Sequence, residues 1–162
     1  MIRTRPQGGW VIVISVLTAF VLTALPTPVW VAPWQPAWVA LVLIYWCMAV
    51  PTRVSVGIGW MLGLVLDIHL GTLLGQHALG LSILAYLACY LHQRVRAHPL
   101  WQQGLTVFGL VFIYNSLNLW INGMQGRPVE VYVYLASPLV SMIIWPWVYI
   151  VLRDFSQRYN VT

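Results

Sequence analysis

The chain has 162 residues, 60% of them hydrophobic and only 7% charged, with eight basic and three acidic side chains. Soluble domains are about 25% charged and roughly 45–50% apolar, because a small water-soluble fold must cover its surface with polar groups. A mean hydropathy of +0.80 and ten tryptophans point the same way, so the composition excludes a soluble domain and indicates an integral membrane protein. A spanning helix takes about 20 apolar residues, so six would use about 120 and leave no stretch large enough for a separate catalytic domain.

Six apolar segments follow in chain order. The first covers about 10–25, between Arg3/Arg5 and the cluster Pro26, Pro28, Pro33, Pro36. It has the arginines and apolar run of a signal peptide, but Thr23-Ala24-Leu25-Pro26 lacks the small-x-small cleavage pattern. A retained first helix is expected. The second covers about 34–50 and stops at Pro51; the third covers about 54–70. Both are short for a hydrocarbon core of about 30 Å. A re-entrant hairpin would place Arg53 inside the bilayer at a cost of at least about 2.5–3.5 kcal/mol, so two short spans are expected. The fourth covers about 72–91, ahead of His92, Arg94, Arg96 and Pro99. The fifth covers about 101–121 and ends at Asn122-Gly123; the sixth covers about 131–152, before a polar tail. The expected fold is all-α: one transmembrane domain spanning 1–162, built as a six-helix bundle.

The basic residues are all arginine, and they orient the bundle. With six spans, Arg3, Arg5, Arg53, Arg94, Arg96, Arg153 and Arg158 fall on one side and Arg127 on the other. By the positive-inside rule both termini are expected in the cytoplasm. Arginines scattered singly between apolar runs are topology signals, not the clustered phosphate-neutralising surface of a nucleic-acid binder. Trp10, Trp30, Trp34, Trp101, Tyr132 and Tyr134 stand near segment ends, where an aromatic belt sits. The alternative for Trp30 and Trp34 is an outer loop that contacts a partner. Cys47 and Cys89 lie within apolar segments and read as small hydrophobes.

Gly59, Gly63, Asp67, Gly71 and Gly75 recur every four residues. Each step of four turns about 400° on a helix, so the stripe drifts about 40° per step. Gly59, Gly63 and Asp67 share a face, whereas Gly75 would stand about 160° away. The run therefore predicts a helix ending near 67–70, a turn at Gly71 and a new helix from about Thr72. Small residues at this spacing admit a second helix closely, either from this chain or from a partner. Asp67 is an acid at or within a span and needs a partner or water. Acceptor between the third and fourth helices, proton-relay acid and direct partner contact are its open roles. His69 is about 200° round the helix from it, and Asp67, His69 and His77 lack metal-ligand spacing on one face.

The fourth helix carries a seam of small residues, Gly75, Ala78, Ser82, Ala85 and Cys89, suited to close packing in lipid. On the fifth, Asn115, Asn118 and Asn122 fall within an arc of about 60°. Buried amides of this kind seek hydrogen bonds across helices, so this face should point into the bundle, a partner or a ligand pocket. Phosphate loops, nucleophile elbows, paired cysteines and helical metalloprotease signatures are absent from the sequence. Glu130 and Asp154 lie at opposite membrane faces and cannot form a catalytic pair. No catalysis, cofactor or metal is expected.

Across its whole length the chain resembles the rod shape-determining protein MreD family of the bacterial inner membrane. The resemblance rests on Gln7-Gly8-Gly9-Trp10, Gln35-Pro36-Ala37-Trp38, Tyr45-Trp46 and Pro51-Thr52-Arg53-Val54. It continues through the glycine and Asp67 run, Leu100-Trp101-Gln102-Gln103 and Trp145-Pro146-Trp147. Gln35 stands where arginine often precedes the proline, so no role of that arginine carries over. The resemblance implies a non-enzymatic component of the cell-elongation machinery, in contact with membrane lipid. Its implied partners are the membrane-anchored periplasmic protein MreC, the MreB filament, the glycan polymerase RodA and RodA's transpeptidase. The implied fold is similar to that of the substrate-binding subunits of energy-coupling-factor vitamin transporters. A small-molecule-binding membrane subunit is therefore the alternative, with Asp67 and the asparagines lining a pocket. On the first reading, the Gly59, Gly63 and Asp67 face and nearby segments are expected to organise the place where a partner's transmembrane helix docks.

Overall fold

The computed structural model describes residues 8–161. It holds α1 Gly9–Ala24, a single 3₁₀ turn Ala32–Trp34, α2 Trp38–Ala49, α3 Val56–Leu70, α4 Gln76–Arg96, α5 Leu100–Met124 and α6 Val131–Arg158. Among the described residues there is no strand. The rings of Trp10 and Tyr159 meet edge-on with centroids 4.6 Å apart, so the two ends of the described chain lie together at one end of the bundle.

The centre of the molecule is α2. Its sequence is apolar on all sides, and a helix of that kind must be enclosed. Every residue from Val39 to Met48 is buried, with α1, α4, α5 and α6 around it. The indole nitrogen of Trp46 donates to Ser15 Oγ on α1 at 2.7 Å. The Ala37 amide, just ahead of α2, donates to Ser141 Oγ on α6 at 3.1 Å. The outer surface is apolar as well: Val13 and Leu17 on α1, Met61 and Ile68 on α3, and Ile143 and Trp147 on α6 are exposed. Soluble proteins rarely leave apolar surface this continuous. Among the described residues two helices, α5 and α6, are long and apolar enough to cross a membrane.

Several boundaries differ from those expected, each for a local reason. The second helix begins at Trp38, not near 34, because Pro36 drives Gln35 into extended backbone with ψ 125°. The fourth begins at Gln76, four residues late, after Gly75 has taken φ 100°. It runs on to Arg96 and α6 to Arg158. The polar residues that close an apolar segment do not close a helix when no proline or glycine stands among them. Likewise α5 continues through Asn122-Gly123 and stops before Gly126, which has φ 68°.

The tightest packing is between α3 and α4. A Cβ at Gly63 would lie 2.2 Å from Ala78 Cα, and one at Gly59 2.8 Å from the Leu81 carbonyl oxygen. The α3 face carrying Gly59, Gly63 and Asp67 is therefore filled by this chain's own α4. Of the two neighbours that the spacing admits, the helix of this chain is the one present, and the glycine face itself is closed to a partner's helix. Gly71 and Gly75 also leave the packing stripe. A Cβ at either would meet nothing within 4 Å, and both serve the turn through positive φ, 63° and 100°.

Gly63→Ala is expected to lower stability by about 1–3 kcal/mol, because the obstructing atoms are backbone and cannot move aside. Gly109→Ala on α5, where a Cβ meets nothing within 4 Å, is expected to leave stability unchanged or raise it. Thermal unfolding of both variants in detergent checks the pair.

Candidate functional site

At the end of the bundle opposite the chain ends, the α3–α4 turn is built on one carboxylate. Asp67 is 1% exposed and sits one turn before the end of α3. Its main-chain oxygen accepts the Gly71 and Thr72 amides, closing the helix around the left-handed Gly71. Its side chain then starts the next helix. Oδ1 accepts the Thr72 hydroxyl at 2.8 Å and the His77 amide at 2.9 Å, and it pairs with His77 Nδ1 at 2.8 Å. Oδ2 accepts the Gly75 amide at 2.8 Å and the Ala78 amide at 3.4 Å.

The first amides of a helix have no partner within it, and the N-cap of α4, Gly75, has no side chain to supply one. The acid of the preceding helix supplies it instead. A negative charge at a helix N-terminus is also stabilised by the helix dipole. His69, on the exposed side of α3, takes no part. His77 is the partner, returned to Asp67 by the reversal of the chain at Gly71 and Gly75. Among the described residues no group of three histidine, cysteine, aspartate or glutamate side chains is placed to hold a metal ion.

Beside this turn lies a cavity of about 540 Å³ lined by Asn115, Asn118, Asn122, His77 and Tyr114, with Arg127 at the same end. Asn115 Nδ2 donates to the Tyr134 carbonyl at 3.1 Å, and Asn122 Nδ2 to the Tyr134 hydroxyl at 2.8 Å. Gln76 Nε2 donates to Asn122 Oδ1 at 3.3 Å, so this amide joins α4, α5 and α6. Asn118 is different. Its Nδ2 bonds the Tyr114 carbonyl of its own helix, and its buried Oδ1 has no protein partner among the described residues. Gly80 lets Tyr114 approach α4, a Cβ there falling 2.8 Å from the ring.

Arg53, Arg94, Arg96, Arg153 and Arg158 lie in the turns and helix ends at the chain-terminal end, and Arg127 lies in the α5–α6 turn at the other. Arg3 and Arg5 fall outside the described residues. Sequence reasoning did not single out Gln76 or Gly80, it read Tyr134 only as an interface anchor, and it did not join His77 to Asp67. The signal for His77 was the pair of glycines, which allows a tight reversal; for Tyr134 no local signal exists, since its partner Asn122 comes from another helix.

The class these features define is an all-helical protein with an apolar exterior, whose buried polar groups join helices to one another instead of converging on a reactive centre. The comparisons with known proteins agree. The family model described as rod shape-determining protein MreD matches residues 4–155. The rod shape-determining protein MreD of Haemophilus influenzae is 35% identical over 157 residues, covering 96% of this chain and 97% of that protein. The chain belongs to the MreD family, whose role is the determination of rod cell shape. No solved structure matches the chain.

Asp67→Asn isolates the carboxylate. Donors approach both oxygens, so either orientation of the amide sets its NH₂ against a backbone N–H. The variant is expected to lose about 1–3 kcal/mol while retaining its helix content. Thermal unfolding with far-ultraviolet circular dichroism measures both.

Proposed function

We propose that the chain is a non-catalytic subunit of the bacterial cell-elongation complex in the inner membrane. On this reading it spans the membrane six times as a single domain, with both termini in the cytoplasm. It binds MreC and, with MreB, RodA and RodA's transpeptidase, supports lateral peptidoglycan synthesis. The observation that carries the reading is the family match across nearly the whole chain. The internal use of the polar groups is consistent with it: Asp67, His77, Asn115 and Asn122 are occupied in joining helices, and what remains outside is helix surface.

For the docking of a partner helix, the enclosed α2 and the occupied α3 face leave the outer helices. An apolar gap of about 560 Å³ separates α1 from α6, lined by Ile14, Thr18, Trp147, Val151 and Phe155 among others. It is open to a membrane-anchoring helix of MreC. A second reading, a small-molecule-binding subunit, draws on the asparagine cavity and the unpartnered Oδ1 of Asn118. The shape-determining family gives it less support.

Site-directed crosslinking separates these possibilities. Cysteines at Ile14 and Val151 are expected to crosslink to the membrane segment of MreC in cells, and cysteines at Tyr86 and Tyr90 on α4 are not. Crosslinks confined to α4 would contradict the proposed surface. A stoichiometric small ligand in native mass spectra of the isolated chain, with no MreC crosslink at any position, would favour the second reading.

A further inference from the structure

We propose that a cavity at the chain-terminal end of the bundle, where α2, α4 and α6 converge, binds a phosphate group. The cavity measures about 330 Å³ and is lined by Tyr45, Met48, Arg96, Arg153, Ser156 and Gln157, among others. Arg153, Ser156 and Gln157 stand at i, i+3 and i+4 on α6 and share one helix face. Tyr45 and Met48 are related in the same way on α2, and Arg96 is the last residue of α4. Three helix ends thus bring two guanidinium groups and the hydroxyl side chains of Tyr45, Tyr149 and Ser156 to one opening.

Among the described residues, neither arginine has a side-chain carboxylate to neutralise it. The sequence contains three acidic side chains, and each is committed elsewhere. Asp67 is bound at the opposite end. Glu130, also at that end, accepts the Tyr132 hydroxyl at 2.6 Å. Asp154 pairs with Arg158 at 3.0 Å. Arg96 gives one N–H to the Met48 carbonyl at 3.5 Å, and a guanidinium carries five donors. Two like charges on one polar cavity repel, and a shared anion between them removes the repulsion. Phosphate matches the planar fork of arginine in charge and in geometry.

The source is the headgroup of an anionic phospholipid or free phosphate. A basic pocket between helices at a membrane face suits the former, and that placement rests on the membrane topology proposed above. Arg–phosphate binding itself does not.

The test uses the full chain purified in a neutral detergent and native mass spectrometry, with phosphatidylglycerol and inorganic phosphate as separate probes. The wild type is expected to retain one phosphatidylglycerol, and Arg96→Gln/Arg153→Gln to retain it at least tenfold less. Arg53→Gln/Arg94→Gln removes the same charge from residues that do not line the cavity and is expected to bind as the wild type does. Retention of inorganic phosphate alone, with the same dependence on Arg96 and Arg153, identifies free phosphate as the ligand and also supports the site. Equal retention by the wild type and Arg96→Gln/Arg153→Gln, or equal loss in both double variants, overturns it. Circular dichroism of each variant checks that helix content is kept.

Discussion

The α3–α4 junction depends on the acceptance of four α4-side donors and the Thr72 hydroxyl by the Asp67 carboxylate. A buried carboxylate is costly to desolvate, and it persists here because backbone amides, a hydroxyl and an imidazole replace the lost water. The same residue ends α3 through its main-chain oxygen and begins α4 through its side chain. Those bonds hold the two helices in register, and register matters because Gly63 meets the Ala78 backbone with no room for a single carbon. A shift of one residue along α4 would drive side chains into α3. The acceptor and the glycine contact therefore support one another.

From that hairpin the rest of the bundle follows. The small residues of α4 admit α3 on one face, Gly80 admits Tyr114 of α5 on another, and the apolar α2 is enclosed by the outer helices. The polar side chains then sort to the two ends. At the turn end, amides, a histidine and a carboxylate join α3, α4, α5 and α6. At the chain-terminal end, arginines stand with few acids beside them. An MreD-family protein built in this way has an apolar flank and a basic end, and of its three acids it buries only Asp67.

Much of this was legible in the sequence, for physical reasons that differ by element. The six apolar segments were readable because proline, glycine and arginine interrupt them, and the described residues hold six α-helices. Asp67 stood out because an acid in so apolar a chain must have partners. The four-residue stripe was legible as far as Asp67, because helical drift separates Gly71 and Gly75 from it. What covers the stripe was not legible: close approach of a second helix looks the same in sequence whether that helix comes from this chain or another. His77 was hidden for a related reason. Its contact with Asp67 spans ten residues and a reversal with φ above zero twice, so neither helical spacing nor strand spacing relates the two. The helix ends at Arg96 and Arg158 were missed because hydropathy marks where apolar character stops, not where the backbone bonds stop.

The most direct test of the Asp67 junction is amide hydrogen exchange across residues 71–79 of the chain in detergent. The Gly75 and His77 amides are bound by the carboxylate, whereas Leu73 and Leu74 are exposed in the turn. The account predicts strong protection at Gly75 and His77, little at Leu73 and Leu74, and loss of the protection in Asp67→Asn. Exchange at Gly75 and His77 as fast as at Leu74 in the wild type would contradict it.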